Sequence, residues 1–148
     1  MKRNFGTVSD YMTHFEACDQ LFPTNLSDRV DLQAYSMKLH DRATSFEIWQ
    51  DNHIVGLLSA YMDTDIVFIS HICVLPEAPA GSGHELFEGL LIESALAGKD
   101  RIRLHVEPTN TKAITFYTRH GFTEIDQTDG VLLMERIVLQ RQLSPKKE

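Results

Sequence analysis

"ICVLPEAPAGSGHELFEGLL", residues 72–91, joins an apolar run to an amphipathic segment through three small residues, Gly81, Ser82 and Gly83. Glycine accepts positive φ and lets a ligand approach the main chain closely. The bare N–H groups of a first helical turn, with the helix dipole, favour an anion. The stretch reads either as a strand, an anion-binding loop and a helix, with a pyrophosphate as the fitting ligand, or as a plain flexible connection. It contains no G-x-x-x-x-G-K-[ST], and G-S-G-H-E-L lacks the third glycine of G-x-G-x-x-G. Nucleoside triphosphate and dinucleotide chemistry therefore lose ground.

Downstream of the loop, Leu86, Phe87, Leu90, Leu91 and Ala95 form an apolar stripe, and Gly98 stops the helix. "RIRLHV" (101–106) reads as a strand, and "NTKAITFYTRH" (110–120) as a helix ended by Gly121. "GFTEI" and "VLLMERIVL" read as strands joined at Thr128-Asp129-Gly130. Upstream, "DIVFISHICVL" (65–75) is apolar apart from Ser70 and His71, which suits a central strand apolar on both faces and closed by Pro76. Before it, "SFEIWQ" and "IVGLLSAYM" make a hairpin about Asp51-Asn52. Two short helices open the chain. The first covers residues 9–22, with Ser9 as N-cap and Met12, Phe15, Cys18 and Phe22 on one face. The second is capped by Ser27 or Asp28 and carries Val30, Ala34 and Met37 at helical spacing. Strand, loop, helix, strand, helix, strand is an α/β order.

Composition bounds the function. The 148 residues make one domain, 1–148, with 140–148 expected to fray. A formal charge of -7, with no basic cluster outside Lys146-Lys147, argues against a nucleic-acid partner. The two cysteines, Cys18 and Cys73, form no metal-type spacing and read as reduced and buried. No run approaches the ~18 apolar residues of a spanning helix, so no membrane partner is expected and the chain is placed in the cytoplasm.

Two motifs together carry a resemblance. The stretch above, followed by "RIRLHVEPTNTKAITFYTRHGF" (101–122), resembles the acetyl-CoA-binding half of the GNAT family of N-acetyltransferases. That family runs from a strand ending near V-x-P, through a Q/R-x-x-G-x-G/A loop, a helix and a strand, into N-x-x-A-x-x-x-Y-x-x-x-G-F. Asn110, Ala113, Tyr117, Gly121 and Phe122 match the last part in full, and the likeness covers roughly residues 47–138. One departure is plain. Ala78 stands where the family has Gln or Arg, and the stretch 76–81 is one residue short, which bears on cofactor affinity.

The resemblance implies an α/β fold with a central mixed, twisted sheet flanked by helices, and an enzyme using acetyl-CoA as cosubstrate with no metal. It assigns Tyr117 as the acid that protonates the leaving thiolate, with packing beside Phe116 as the alternative. Pantetheine would run along Ile72, Cys73 and Val74, with Val74 or its neighbour offering an N–H to the thioester carbonyl. The phosphates would meet the amides of Gly81, Ser82 and Gly83, with His84 beside them and Asn110 at the next helix start. His105, where relatives often carry glutamate, and His71 are the candidate bases, with Glu107 or water as alternatives. A third ligand that would turn His71 and His105 into a metal site is not identifiable.

The acceptor is expected between residues 15–35 and 126–132. There Glu16, Asp19, Asp28, Asp31, Asp126 and Asp129 would attract a cationic amine or simply be solvated. A small primary amine, such as an amino sugar, amino acid or polyamine, is the leading acceptor. A protein N-terminus or lysine is the alternative, and an acyl-CoA-binding module without turnover is another. A homodimer is possible on this reading.

Overall fold

The computed structural model describes residues 1–139; the expected frayed tail, 140–148, lies outside the described residues. Strands β1 (Lys2–Arg3), β2 (Thr44–Gln50) and β3 (His53–Tyr61) start the sheet. Asp51 and Asn52 turn β2 into β3 with φ of 51° and 64°, the two-residue primed geometry that suits strand twist. Strand β4 (Ile66–Val74) pairs antiparallel with β3. Ser59 faces His71 and Ala60 faces Ile69, so Ser70 is an extra residue, a bulge in β4. Strand β5 (Arg101–Val106) is parallel to β4, and β6 (Thr123–Thr128) and β7 (Val131–Ile137) complete the order β1-β2-β3-β4-β5-β7-β6. Two-residue β1 is too short for any periodic signal, and the sequence analysis missed it.

Helices α1 (Val8–Cys18) and α2 (Leu32–Arg42) pack together, while α3 (Ser82–Leu96) crosses β2, β3 and β4 and α4 (Thr111–Arg119) follows β5. Their starts correct the expected caps. Thr7, not Ser9, caps α1, because Thr7 and Asp10 satisfy each other's amides and Ser9 has only Met12 three residues on. Asp31 caps α2, and Ser27 and Asp28 fall in a short 3-10 turn where the Ser27 hydroxyl goes to Asp19. The first helix ends at Cys18, before a second short turn over Asp19–Leu21. Met37 is exposed, and the face that α2 buries carries Ser36 and Leu39.

Burial alternates along β4 instead of covering both faces. Val67, Ile69, His71 and Cys73 are buried, whereas Phe68, Ser70, Ile72 and Val74 are half-buried and line open grooves. The stripe on α3 is as expected, with Leu86, Phe87 and Leu90 fully buried. Among the described residues no helix is long and apolar enough to cross a membrane.

The Y-x-x-x-G-F spacing has a local cause. Gly121 lies at φ 88°, its N–H donates to the Thr118 carbonyl at 3.1 Å, and the Phe122 N–H donates to the Tyr117 carbonyl at 3.0 Å. These are the paired bonds of a Schellman cap, and the accompanying apolar contact is Tyr117 against Phe122, 5.8 Å between ring centroids. The cap thus orients Tyr117. A side chain at Gly121 would be strained by the backbone and its Cβ would approach Arg136 Nε at 3.2 Å. Gly121→Ala is therefore expected to lower unfolding free energy by about 1–2 kcal/mol in urea titrations.

Candidate active site

Strands β4 and β5 share hydrogen bonds only where residues 66–69 face 101–104, and beyond that point they part. On its other edge β4 stays paired, with Gly56 facing Val74, Leu57 facing Cys73, and the Leu75 N–H donating to the Val55 carbonyl at 2.8 Å. Bonded and non-bonded positions alternate along an antiparallel pair. The peptide groups of Val74 and Ile72 therefore face the gap, and Cys73's face β3.

A groove of about 630 Å³ follows this free edge to the start of α3 and the wall of α4. It brings together Ile72, Cys73, Val74, Gly81, Ser82, Gly83, His84, Asn110 and Tyr117, all the residues expected on the cofactor side. The two glycines do different things. Gly81 is the α3 N-cap at φ 84°, whereas a Cβ on Gly83 would stand 3.1 Å from the Phe116 ring, so its absence lets α3 start against α4. Ser82 is already occupied, because both its N–H and its hydroxyl donate to the Pro79 carbonyl. Glu85 N–H closes the first turn on Gly81, leaving the Gly83 and His84 amides as the donors without an acceptor among the described residues. Asn110 accepts from the Ala113 N–H at 3.2 Å and so caps α4. His120 Nδ1–H donates to the Phe116 carbonyl at 2.7 Å, so in the neutral pair His120 Nε2 accepts from His84 Nδ1–H at 3.0 Å. Ala78 lines the groove with a methyl group, and Lys112, which sequence reasoning passed over, adds an ammonium.

A second pocket, about 570 Å³, lies between α2 and the parted strands. Phe22, Ile72, Asn110 and Tyr117 line both spaces, so the two meet at Tyr117. Burial first, then electrostatic interaction with Cys73, raises the Tyr117 phenol well above its usual range, which keeps it protonated. His105 is exposed on the pocket wall with its ring against Phe68. Glu107 is tied down, accepting from the Thr24 hydroxyl at 2.7 Å and the Thr24 N–H at 3.2 Å.

The acetyltransferase (GNAT) family profile matches residues 10–122, which is most of the chain. The chain belongs to the GNAT acetyltransferase family. It is by class an acyl-CoA-dependent N-acyltransferase, and the family match begins inside α1, well before the residues that carried the resemblance. Solved structures share this GNAT fold. The ribosomal-protein-S18-alanine N-acetyltransferase of Escherichia coli is 20% identical, with TM-score 0.72 over 95% of this chain and 94% of that one. Ard1 of Thermoplasma volcanium is 19% identical, with TM-score 0.75 over 94% and 98%. The PaiA N-acetyltransferase of Thermoplasma acidophilum, solved with coenzyme A, is 14% identical, with TM-score 0.71 over 92% and 98%.

Within this GNAT domain the second pocket adjoins only one side of the region expected for the acceptor. That pocket is lined from 22–38, from β4 and β5 and from Glu107, Asn110 and Tyr117, and the hairpin residues 126–132 do not line it. Of the six acids named for that region only Asp31 lines the pocket.

His71 has a fixed environment that sequence could not show. Its ring packs edge-on to Phe15 and His14, and its Nε2 lies 3.0 Å from His14 Nε2. His14 Nδ1–H donates to the Ile54 carbonyl at 3.1 Å, so His71 Nε2–H donates to His14 when both rings are neutral. Cys18, one turn beyond His14, brings its sulfur within 4.8 Å of both rings while its thiol donates to the Phe15 carbonyl. His14, Cys18 and His71 thus form a buried, internally bonded cluster that the pairing of His71 with His105 had not anticipated. Burial lowers the His14 pKa to about 4, against the pull of the Ile54 carbonyl, and lowers that of His71 well below its ordinary value, helped by the charges of His14 and Arg29.

Both histidines are held neutral in the fold but charge freely near pH 6.5 when unfolded. Their stabilisation is complete above about pH 6.5 and is lost as pH falls toward the folded values. Urea unfolding is expected to weaken between pH 6.5 and 5 by up to about 1.4 kcal/mol per pH unit for each histidine. His71→Gln should reduce that slope; an unchanged slope would show that His71 is not held neutral.

Proposed function

We propose that this enzyme transfers the acetyl group of acetyl-CoA directly to a primary amine of a small molecule, with Tyr117 as general acid and His105 as base, directly or through one water. The observation that carries the reading is the meeting of the two spaces at Tyr117, beside the strand edge that β5 leaves free. Pantetheine lies along that edge, and the N–H of Val74 polarises the thioester carbonyl. The amides of Gly83 and His84 receive the pyrophosphate. Ser82 and Ala78 contribute little to it, since Ser82 is bonded internally and Ala78 has no polar group.

The amine nitrogen attacks the carbonyl carbon, forming a C–N bond as a proton passes to His105. The C–S bond then breaks, and the Tyr117 hydroxyl gives its proton to the departing sulfur. His105 suits the base better than His71, because it is exposed on the pocket whereas His71 is buried and bonded to His14. The pocket's volume of about 570 Å³ lies in the small-ligand range. A protein N-terminus is the second reading, favoured by fold neighbours named as ribosomal-protein-alanine N-acetyltransferases.

Coenzyme A at about 100 times its Kd is expected to add about 2.7 kcal/mol to the protein's stability. Tyr117→Phe should keep that thermal shift while losing about 100-fold or more in kcat. Equal turnover by Tyr117→Phe and the parent enzyme would remove the phenol from the mechanism, and acetylation of peptides alone would select the second reading.

A further inference from the structure

The charged groups of the acceptor pocket divide by what they already hold. Asp31 accepts from the Ala34 N–H at 2.8 Å as the cap of α2, and Glu107 is bonded to Thr24 through both carboxylate oxygens. Both acids therefore direct lone pairs at donors inside the fold. The two cations do not. Among the described residues neither Arg29 nor Lys38 has a carboxylate within 4.0 Å. Arg29 lies over the Phe22 ring at 5.5 Å and Lys38 over the Tyr61 ring at 5.4 Å, contacts that leave guanidinium and ammonium N–H groups free.

Arg29 stands near the junction of the two spaces. Its ring partner Phe22 lines both and packs 6.0 Å from His71. Its charge is felt on the pocket floor, helping to lower His71 and opposing the burial that pushes Tyr35 up to about 12. Lys38 marks the far end, beside Tyr61, whose strand partner is Phe68. An attacking amine must be neutral and gains little from a carboxylate's charge. Unpaired Arg and Lys groups gain most from an oxyanion, which a guanidinium can grip through two parallel bonds.

We propose that the acceptor is a primary amine that also carries an anionic group, a carboxylate or a phosphate, held chiefly by Arg29 and assisted by Lys38 while the amine faces Tyr117. This rests on the acetyl-transfer reading above and narrows its substrate. It also reverses the expectation that acidic side chains would draw in a cationic amine.

The test compares paired acceptors on the intact enzyme with acetyl-CoA: alanine against alaninamide, 2-aminoethyl phosphate against ethanolamine, and a C-terminally amidated, alanine-initiated hexapeptide without acidic residues. At least one anionic member should exceed its uncharged partner by tenfold or more in kcat/KM, and which pair does so identifies the anion. Arg29→Gln should raise KM for that acceptor about tenfold with kcat nearly kept, and leave the uncharged partner's KM alone; Lys38→Gln should act in the same direction but less. A merely structural role would shift both members of a pair equally. Equal rates within both pairs, or preference for the hexapeptide, would overturn the proposal. If coenzyme A gives no thermal shift, the acetyl-transfer reading fails by itself. Calorimetric binding of the same pairs then decides the pocket's preference without turnover, anion-dependent binding lost in Arg29→Gln upholding it and its absence overturning it.

Discussion

The parting of β4 from β5 is the constraint on which everything functional depends. Four residues of each strand pair, enough to hold the parallel strands in one sheet, and then the ladder stops with Ile72 and Val74 presenting peptide groups to open space. The bulge at Ser70 sits where pairing ends, and an extra residue both bends its strand and increases local twist. Tyr35 secures it from α2. Its hydroxyl donates to the Ser70 carbonyl at 3.0 Å and lies 2.6 Å from the Ser70 hydroxyl, so the bulge is bonded to the helix that walls the second pocket. Ser70, which interrupts an otherwise apolar run, is thus part of the device that opens the sheet.

Around that gap the buried groups divide by whether the fold satisfies them. His14 is bonded through both ring nitrogens, to the Ile54 carbonyl and to His71, and Glu47, fully buried on β2, accepts from the Gly6 N–H, the Tyr11 hydroxyl and the Trp49 indole. Such groups fix packing, because a buried polar atom without a partner is costly. Tyr117 differs, being as buried as the core yet with its ring at the junction of two open spaces.

What could be read in advance follows from how locally each feature is determined. The hairpin at Asp51-Asn52, the α3 stripe and the Tyr117, Gly121, Phe122 cap each depend on residues within a few positions, so spacing revealed them. That the loop at Gly81 and the helix capped by Asn110 would line one groove was legible for the same reason, since each is continuous in sequence. The rest is decided across the fold. That Ser82 spends its donors on Pro79, that Asp31 rather than Ser27 starts α2, and that His71 meets His14 are outcomes of competition among partners. An acidic residue count could not foresee that Asp31 and Glu107 would be engaged while Arg29 meets no carboxylate among the described residues, because the sign of a pocket's field depends on which charges point into it.

Burial of Tyr117 raises an energetic question that the same burial answers. A phenol held well above its usual pKa always carries its proton, but it releases that proton reluctantly. In the proposed reaction a thiolate leaving beside Tyr117 would be partly desolvated as well, and desolvation raises the basicity of any anion. On that reading donor and acceptor shift in the same direction, which offsets part of the phenol's reluctance. Solvent admitted at the junction would stabilise the thiolate without help from the phenol. On the same reading, the rings of Phe116 and Phe122 packed on Tyr117 would serve the proposed proton donation as well as stability, by keeping the phenol in a low-dielectric setting.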